Sequence, residues 1–274
     1  MSRIQNILEK AEREGSVRRV AVMTDTEGTA ALAFEAPMAS APVAVPDDVA
    51  PVSVAAPAVR SVSSVRFDPN LVAALTPGAP TAEQYRALRT RLMQADHGAP
   101  VGALLVTSPG RREGKSLTAA NLALSMAQEV QARICVVDAD LRHSRLHALF
   151  GVPATPGLAD VLAGRAALAD ALVRLDDQQI VVLPAGESPA HPAELLGSTA
   201  MRRTIETLRT QFDRVIIDAP AIGPLADVGI LSPLVDGLLL VVHAGVTTKP
   251  AIQEAVATIG TDKFLGVVLN GGAA

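Results

Sequence analysis

An α/β fold built on a doubly wound, mostly parallel sheet is predicted for roughly residues 82–274, and three features of the chain predict it. Runs that are apolar throughout recur at 103–106, 134–137, 180–183, 215–217, 237–242 and 265–269. Longer amphipathic segments separate them, and a Pro-rich stretch ends just before the first. Continuous rather than alternating apolar runs suit strands covered on both faces, and helical spacers suit right-handed crossovers between parallel neighbours. No internal repeat interrupts the pattern.

The segments follow in order. Ser2 as N-cap before Ile4, Ile7, Leu8 and Ala11 at helical spacing predicts a short amphipathic helix over 1–15. Residues 16–80 are expected to form a disordered, flexible linker, because Pro37, Pro42, Pro46, Pro51, Pro57, Pro69, Pro77 and Pro80 are interleaved with Ala, Val and Ser. Those prolines remove the donors a central strand needs. From 81 the chain turns helical through 83–93 and then enters the alternating pattern of the main domain, 81–274.

Composition sets limits. A chain of 274 residues with 49% hydrophobic residues can bury a sizeable core. A net charge of -4 argues against gripping nucleic acid as the main task. The single cysteine, Cys135, lies inside an apolar run, so it is read as a buried, inert thiol. No signal-like n-region or roughly 20-residue apolar stretch is present, so a cytoplasmic protein is expected, touching the membrane only through a partner. Aromatic residues make up 2% of the chain, with no Trp and one Tyr, Tyr85.

The first apolar run leads into Ser108, Pro109, Gly110, Arg111, Arg112, Glu113, Gly114, Lys115, Ser116 and Leu117, after which a helix is predicted. Strand, loop, then Gly-Lys-Ser opening a helix is the setting in which backbone amides and a helix N-terminus face phosphates. ATP with Mg²⁺ is the expected ligand: Lys115 neutralises the outer phosphate oxygens and the Ser116 hydroxyl ligates the metal. The usual first glycine is replaced by Pro109. Two further strands end in carboxylates, Asp138-Ala139-Asp140 and Asp218-Ala219-Pro220, at the edge where open α/β sheets bind ligands. Carboxylates beside phosphates suit a hard cation, so Ser116, Asp138 and Asp218 are the expected metal set.

At these residues the chain resembles the bacterial tyrosine kinases of exopolysaccharide and capsule assembly, the CpsD/CapB-like proteins, related to the MinD/ParA P-loop ATPases. The resemblance covers roughly 68–270. Asp138-Ala139-Asp140-Leu141-Arg142 looks like the family's Walker A-prime motif and Asp218-Ala219-Pro220 like its Walker B. Ser108 stands where the family's variant loop carries a small residue. Collinear matches continue through Arg145–Gly151, Gly157–Gly164 and the Pro192-Ala193-Glu194-Leu195-Leu196 segment. A MinD-type sandwich dimer is disfavoured, because Gly110 stands where those ATPases carry a lysine. The helix at the N-terminus before a Pro-rich linker is similar to the exosortase-associated subgroup.

The resemblance implies roles. Lys115, Asp138 and Asp140 become catalytic, with Asp138 orienting or deprotonating the incoming hydroxyl and Asp140 supporting the metal. Asn270 stands where related ATPases read adenine, with a strand-capping role as its alternative. Glu83, Arg86 and Arg89 resemble an interface helix that builds homo-oligomeric rings, and their spacing puts them on one helical face. The implied partner is the cytosolic tail of a Wzz-like membrane polysaccharide co-polymerase, which recruits the protein to the inner face of the membrane. The sequence ends Asn270-Gly271-Gly272-Ala273-Ala274 without the family's tyrosine-rich tail. Three readings therefore stay open: a kinase for tyrosines on another chain, a nucleotide switch without kinase activity, and a MinD/ParA-like positioning ATPase.

Overall fold

A computed structural model describes residues 21–22, 60–62, 65–94, 101–129, 132–223, 226–260 and 262–272. The helix expected over 1–15 and most of the expected linker lie outside these residues. In chain order the strands are β1 (Ala21–Val22), β2 (Arg60–Val62), β3 (Ala103–Thr107), β4 (Ile134–Asp138), β5 (Val173–Leu175), β6 (Ile180–Leu183), β7 (Arg214–Asp218), β8 (Gly237–His243) and β9 (Phe264–Asn270). They form one sheet in the order β1-β9-β8-β3-β7-β4-β6-β5-β2. The run from β9 to β6 is parallel, and the antiparallel pairs are β1 with β9 and β5 with β6. All six apolar runs are therefore strands of a mostly parallel sheet.

Ten helices among the described residues complete the fold: α1 (Val72–Leu75), α2 (Pro80–Gln94), α3 (Lys115–Ala127), α4 (Leu146–Phe150), α5 (Leu158–Leu162), α6 (Leu168–Ala171), α7 (Pro192–Leu196), α8 (Thr199–Gln211), α9 (Asp227–Leu231) and α10 (Lys249–Ile259). Successive residues of a strand point to opposite faces, so Ala103 and Leu105 join one core with Met201, Ile205 and Val256. Leu104 and Val106 join the other with Leu88, Leu122 and Phe150. Both faces of β3 are thus dry, which is why its run is apolar without alternation.

Residues 60–62 and 65–80, assigned by composition to the linker, belong to the domain. Arg60–Val62 pairs in parallel with β5. Leu71 is fully buried, Asp68 N donates to Leu149 O, and Asn121 ties residues 70–73 to α3 by accepting from Ala73 N and donating to Asn70 O. A fully buried leucine contributes about 1.5–3 kcal/mol, enough to hold a short Pro-bearing strap that composition reads as loose chain.

β3 lies at the switch point of the sheet: α3 carries the chain from β3 toward β4 on one side, while β8 and β9 extend the sheet on the other. Clefts in open α/β sheets form outside the carboxyl ends of strands at such a point. The loop after β3 and the ends of β4 and β7 meet there.

Candidate functional site: a phosphate loop between two acidic strand ends

The loop from Ser108 to Gly114 turns back on itself to open α3. Ser108 is fully buried and its hydroxyl donates to Gly110 O at 2.6 Å. Arg112 and Gly114 adopt positive φ, 64° and 96°, and glycine suits the second because a left-handed backbone strains residues with a Cβ. A Cβ on Gly114 would also sit 1.9 Å from Asn270 Nδ2. Thr107 Oγ1 donates to Pro220 O and Ile222 N donates to Ser108 O, so the loop is stitched to the chain that follows β7.

Lys115, the first residue of α3, is mostly buried and its Nζ lies 2.7 Å from Asp140 Oδ2 and 3.6 Å from Asp218 Oδ1. Burial alone would lower its pKa, but the charges of Asp218, Asp140 and Asp138 outweigh this and hold the ammonium above the usual range. Its Nζ also donates to Ser116 Oγ at 3.3 Å. Asp138 and Asp218 face each other in register on adjacent parallel strands. Burial, reinforced by the Asp218 charge, raises Asp138; burial raises Asp218 too, against the pull of Lys115.

The two acids are held differently. Asp138 Oδ2 accepts from Arg145 N and Leu146 N at 3.0 Å each, and its Oδ1 accepts from Asp140 N at 3.2 Å. It caps the turn before α4 through three backbone donors, and neither it nor Asp218 is among the residues that line the cleft. Asp218 is equally buried, yet no backbone donor reaches its oxygens; only the Ser116 hydroxyl and the Lys115 ammonium stand beside them, the ammonium at 3.6 Å. Buried carboxylate oxygens are seldom left so. With the Ser116 hydroxyl beside it, Asp218 offers the hard oxygen donors that a magnesium ion prefers, with phosphate oxygens completing the set. The residues present therefore fit Mg²⁺ at Ser116 and Asp218.

The cleft in front of Lys115 has a volume of about 580 Å³ and is lined by Arg111, Arg112, Gly114, Lys115, Ser116, Leu117, Asp140, His143, Arg145, Leu149, Pro220 and Ala221. Asp140 is its acid: Oδ1 accepts from His143 N at 3.0 Å and Oδ2 holds Lys115. Glu113 points away from it and is buried. Burial lifts its pKa against the opposing effects of Thr247, Gly110 and His243. Asn270, the last residue of β9, donates through Nδ2 to Glu113 O at 3.0 Å. It braces the loop and borders a second cleft of about 350 Å³ that also reaches Asn70, Gln84, Tyr85 and Arg91.

The expected interface face on α2 is only partly available. Glu83 and Arg86 pair with each other at 2.6 Å on the exposed side. Arg89 turns inward, donating to Ser125 O and pairing with Glu129 at 3.3 Å. The free carbonyls and negative dipole at the end of α3 attract a guanidinium within reach, so within one chain Arg89 braces the end of α3.

Spacing did not reveal the amides of Arg145 and Leu146, seven and eight residues beyond Asp138. Nor did it reveal Arg142, whose Nε and Nη2 reach the buried Asp227 at 2.9 and 3.3 Å. Asp227 opens α9, a helix start that spacing did not place.

A loop of this shape, its lysine caged by acids from neighbouring strand ends at the switch point of a parallel sheet, defines a P-loop nucleotide-binding protein of the MinD/ParA fold. The MinD cell-division ATPase of Pyrococcus furiosus superposes with a TM-score of 0.52 over 61% of this chain and 70% of its own, at 24% identity, a likeness of fold. The kinase domain of the Escherichia coli tyrosine kinase ETK superposes better, with a TM-score of 0.72 at 28% identity over 76% of this chain and 82% of that one. No family model matches the chain. Against the tyrosine-protein kinase YwqD of Bacillus subtilis (strain 168) it is 35% identical over 216 residues, 78% of this chain and 91% of that protein. The chain belongs to the bacterial tyrosine-protein kinase family of capsule and exopolysaccharide biosynthesis.

Proposed function

We propose that this chain transfers the γ-phosphoryl group of ATP to tyrosine hydroxyls on another protein of an exopolysaccharide-export assembly, and so regulates polymer chain length and export. The observation that carries the reading is Lys115, held between Asp140 and Asp218 at the head of the phosphate loop. An ammonium already desolvated and ion-paired can exchange its carboxylate partners for phosphate oxygens without a large change in surroundings.

Phosphoryl transfer asks a protein mainly for alignment and charge neutralisation. Lys115 and the amides of the loop hold the β and γ oxygens. Magnesium at Ser116 and Asp218 supplies further neutralisation of those oxygens as charge shifts to the leaving group. Once Lys115 turns to the phosphates, Asp140 is free at the cleft wall to orient the phenol and accept its proton. The phenol oxygen then bonds to the γ phosphorus as the β–γ bridging bond breaks and ADP departs. Asp138, linked to Asp140 N, acts through Asp140 by fixing its loop. Asn270 Oδ1, its amide nitrogen being occupied by the loop, is available to an adenine amino group.

Tyr85 is unsuited to be the acceptor. Its hydroxyl packs against Thr118 and Asn121, and burial raises its pKa. The proposed acceptor is a tyrosine of another protein, and the cytosolic tail of a membrane co-polymerase is the proposed activator, drawing the kinase to the inner face of the membrane. Among the described residues no helix is long and apolar enough to cross a membrane. A homo-oligomer docked through the exposed Glu83 and the half-buried Arg86 completes the reading.

The lack of an accessible tyrosine among the described residues favours, as a second reading, a nucleotide switch that docks on the same partner without transferring phosphate. Incubation with γ-labelled ATP, Mg²⁺ and the cytosolic tail of a membrane co-polymerase separates the two. Phosphotyrosine that disappears in Lys115→Ala supports the kinase; ATP hydrolysis without phosphotyrosine on any component supports the switch.

A further inference from the structure

The mouth of the cleft carries a charge pattern that nucleotide binding does not consume. Arg111, Arg112 and Arg145 line it with exposed side chains, joined by His143. None of the three arginines makes an ion pair among the described residues; Arg60, Arg66, Arg91, Arg174, Arg202 and Arg203 are like them in this, but Arg111, Arg112 and Arg145 share one cleft mouth. The one carboxylate lining the cleft, Asp140, is already taken by Lys115. A chain of net charge -4 thus concentrates unpaired guanidinium groups at the opening of one cleft. Such a concentration of one sign focuses the field on whatever enters.

The triphosphate has its own partners in the loop amides, Lys115 and the N-terminus of α3. Arg145 comes from a different segment, the turn after β4, and its root is fixed because its backbone N–H is bonded to Asp138. The remaining lining is apolar: Leu117, Leu149, Pro220 and Ala221. A surface with an apolar floor and a guanidinium rim suits an aromatic ring flanked by carboxylates, since arginine pairs with carboxylates in a planar, two-pronged geometry.

Resting on the kinase reading above, we propose that the acceptor is an acidic segment: a tyrosine whose ring lies on the apolar floor while neighbouring Asp or Glu side chains are read by Arg111, Arg112 and Arg145. Partner choice is then electrostatic, and the arginines set specificity rather than performing the chemistry.

The test uses the full chain loaded with a non-hydrolysable ATP analogue and Mg²⁺, and fluorescent peptides holding one tyrosine between glutamates, or between glutamines at the same positions. Binding by anisotropy is expected to favour the glutamate peptide about tenfold near 50 mM salt, and much less near 500 mM, where rim charges are screened. Arg145→Gln is expected to weaken that peptide about three- to fivefold, as loss of an exposed charge pair does, while moving the glutamine peptide less than about twofold. Arg145→Lys, which keeps the charge, is expected to retain most of the preference.

Equal affinity for the two peptides overturns the proposal. So does an Arg145→Gln variant that weakens both alike or loses analogue affinity in step with peptide affinity, and so does equally tight binding by a glutamate peptide with alanine in place of tyrosine, which would make the rim a general polyanion site. The same mixtures with ATP report transfer separately: an Arg145-dependent preference without phosphotyrosine sinks the kinase reading and leaves the acidic-segment inference standing.

Discussion

The ends of β4 and β7 lie side by side, each finishing in a fully buried aspartate, and they solve the burial of a charge in opposite ways. Asp138 is surrounded by backbone donors from Asp140, Arg145 and Leu146. Asp218 has no backbone donor, only the Lys115 ammonium 3.6 Å away and the Ser116 hydroxyl beside it. A carboxylate satisfied by amides builds structure, because those donors do not leave. One left without such donors costs stability until a cation arrives, and so it is the form a functional site takes. The difference separates scaffold from chemistry within a single pair of neighbouring strands.

Replacing the unsatisfied acid should have the largest effect, and on activity alone. Asp218→Asn is expected to lower phosphotyrosine formation at least about a hundredfold, some 3 kcal/mol of transition-state stabilisation. Its thermal stability without nucleotide should stay within about 1 kcal/mol of the parent; a large loss of stability would erase the contrast with Asp138. A second orphan can be made to order. Arg142→Ala strips the guanidinium from buried Asp227 and should cost about 2–3 kcal/mol, partly recovered by adding Asp227→Asn; denaturant unfolding of the three proteins checks this.

Asp138→Asn should cost about 2 kcal/mol, because an amide cannot accept from all three backbone donors and turns its own NH₂ toward one of them. An unchanged midpoint in urea would break the view of Asp138 as scaffold. Asp160 gives the mildest case. Burial raises it, but Gly157 N and Arg165 outweigh this, so its folded pKa lies below 3.8. The stability it contributes is present above that value and lost as pH falls through the folded pKa. Asp160→Asn should therefore cost only about 0.5 kcal/mol at neutral pH, and the gap should narrow as the pH is taken down through the folded pKa, by thermal unfolding across an acid series.

The strands of the central sheet were legible because burial on both faces imposes one kind of residue, and the phosphate loop because its turn, charge and helix start lie within one stretch. β2 was not, since Arg60-Ser61-Val62 carries no pattern of its own and is a strand only because β5 offers it an edge. Leu71 and α1 were hidden for a related reason: Pro69 and Pro77 dominate the local composition, while the contacts that order the strap come from Asn121 on α3 and Gln128 just past its end. Asp138, Asp140 and Asp218 could be named from spacing, but which of them faces the cleft depends on amides that a turn brings back, and on the reach of one lysine. Arg89 shows the same limit, because helical spacing gives a face and says nothing of a carbonyl end waiting beneath it.

One consequence of the packing of Tyr85 is optical. With no tryptophan and a single tyrosine in the sequence, near-ultraviolet emission comes from one ring, seated on α3 beside Thr118, two residues after Ser116. Tyrosine emission is thus an intrinsic gauge of how tightly α2 clasps the nucleotide helix, read without a label. Because the rest of the chain is dark in that channel, a tryptophan on a binding partner would stand out against it.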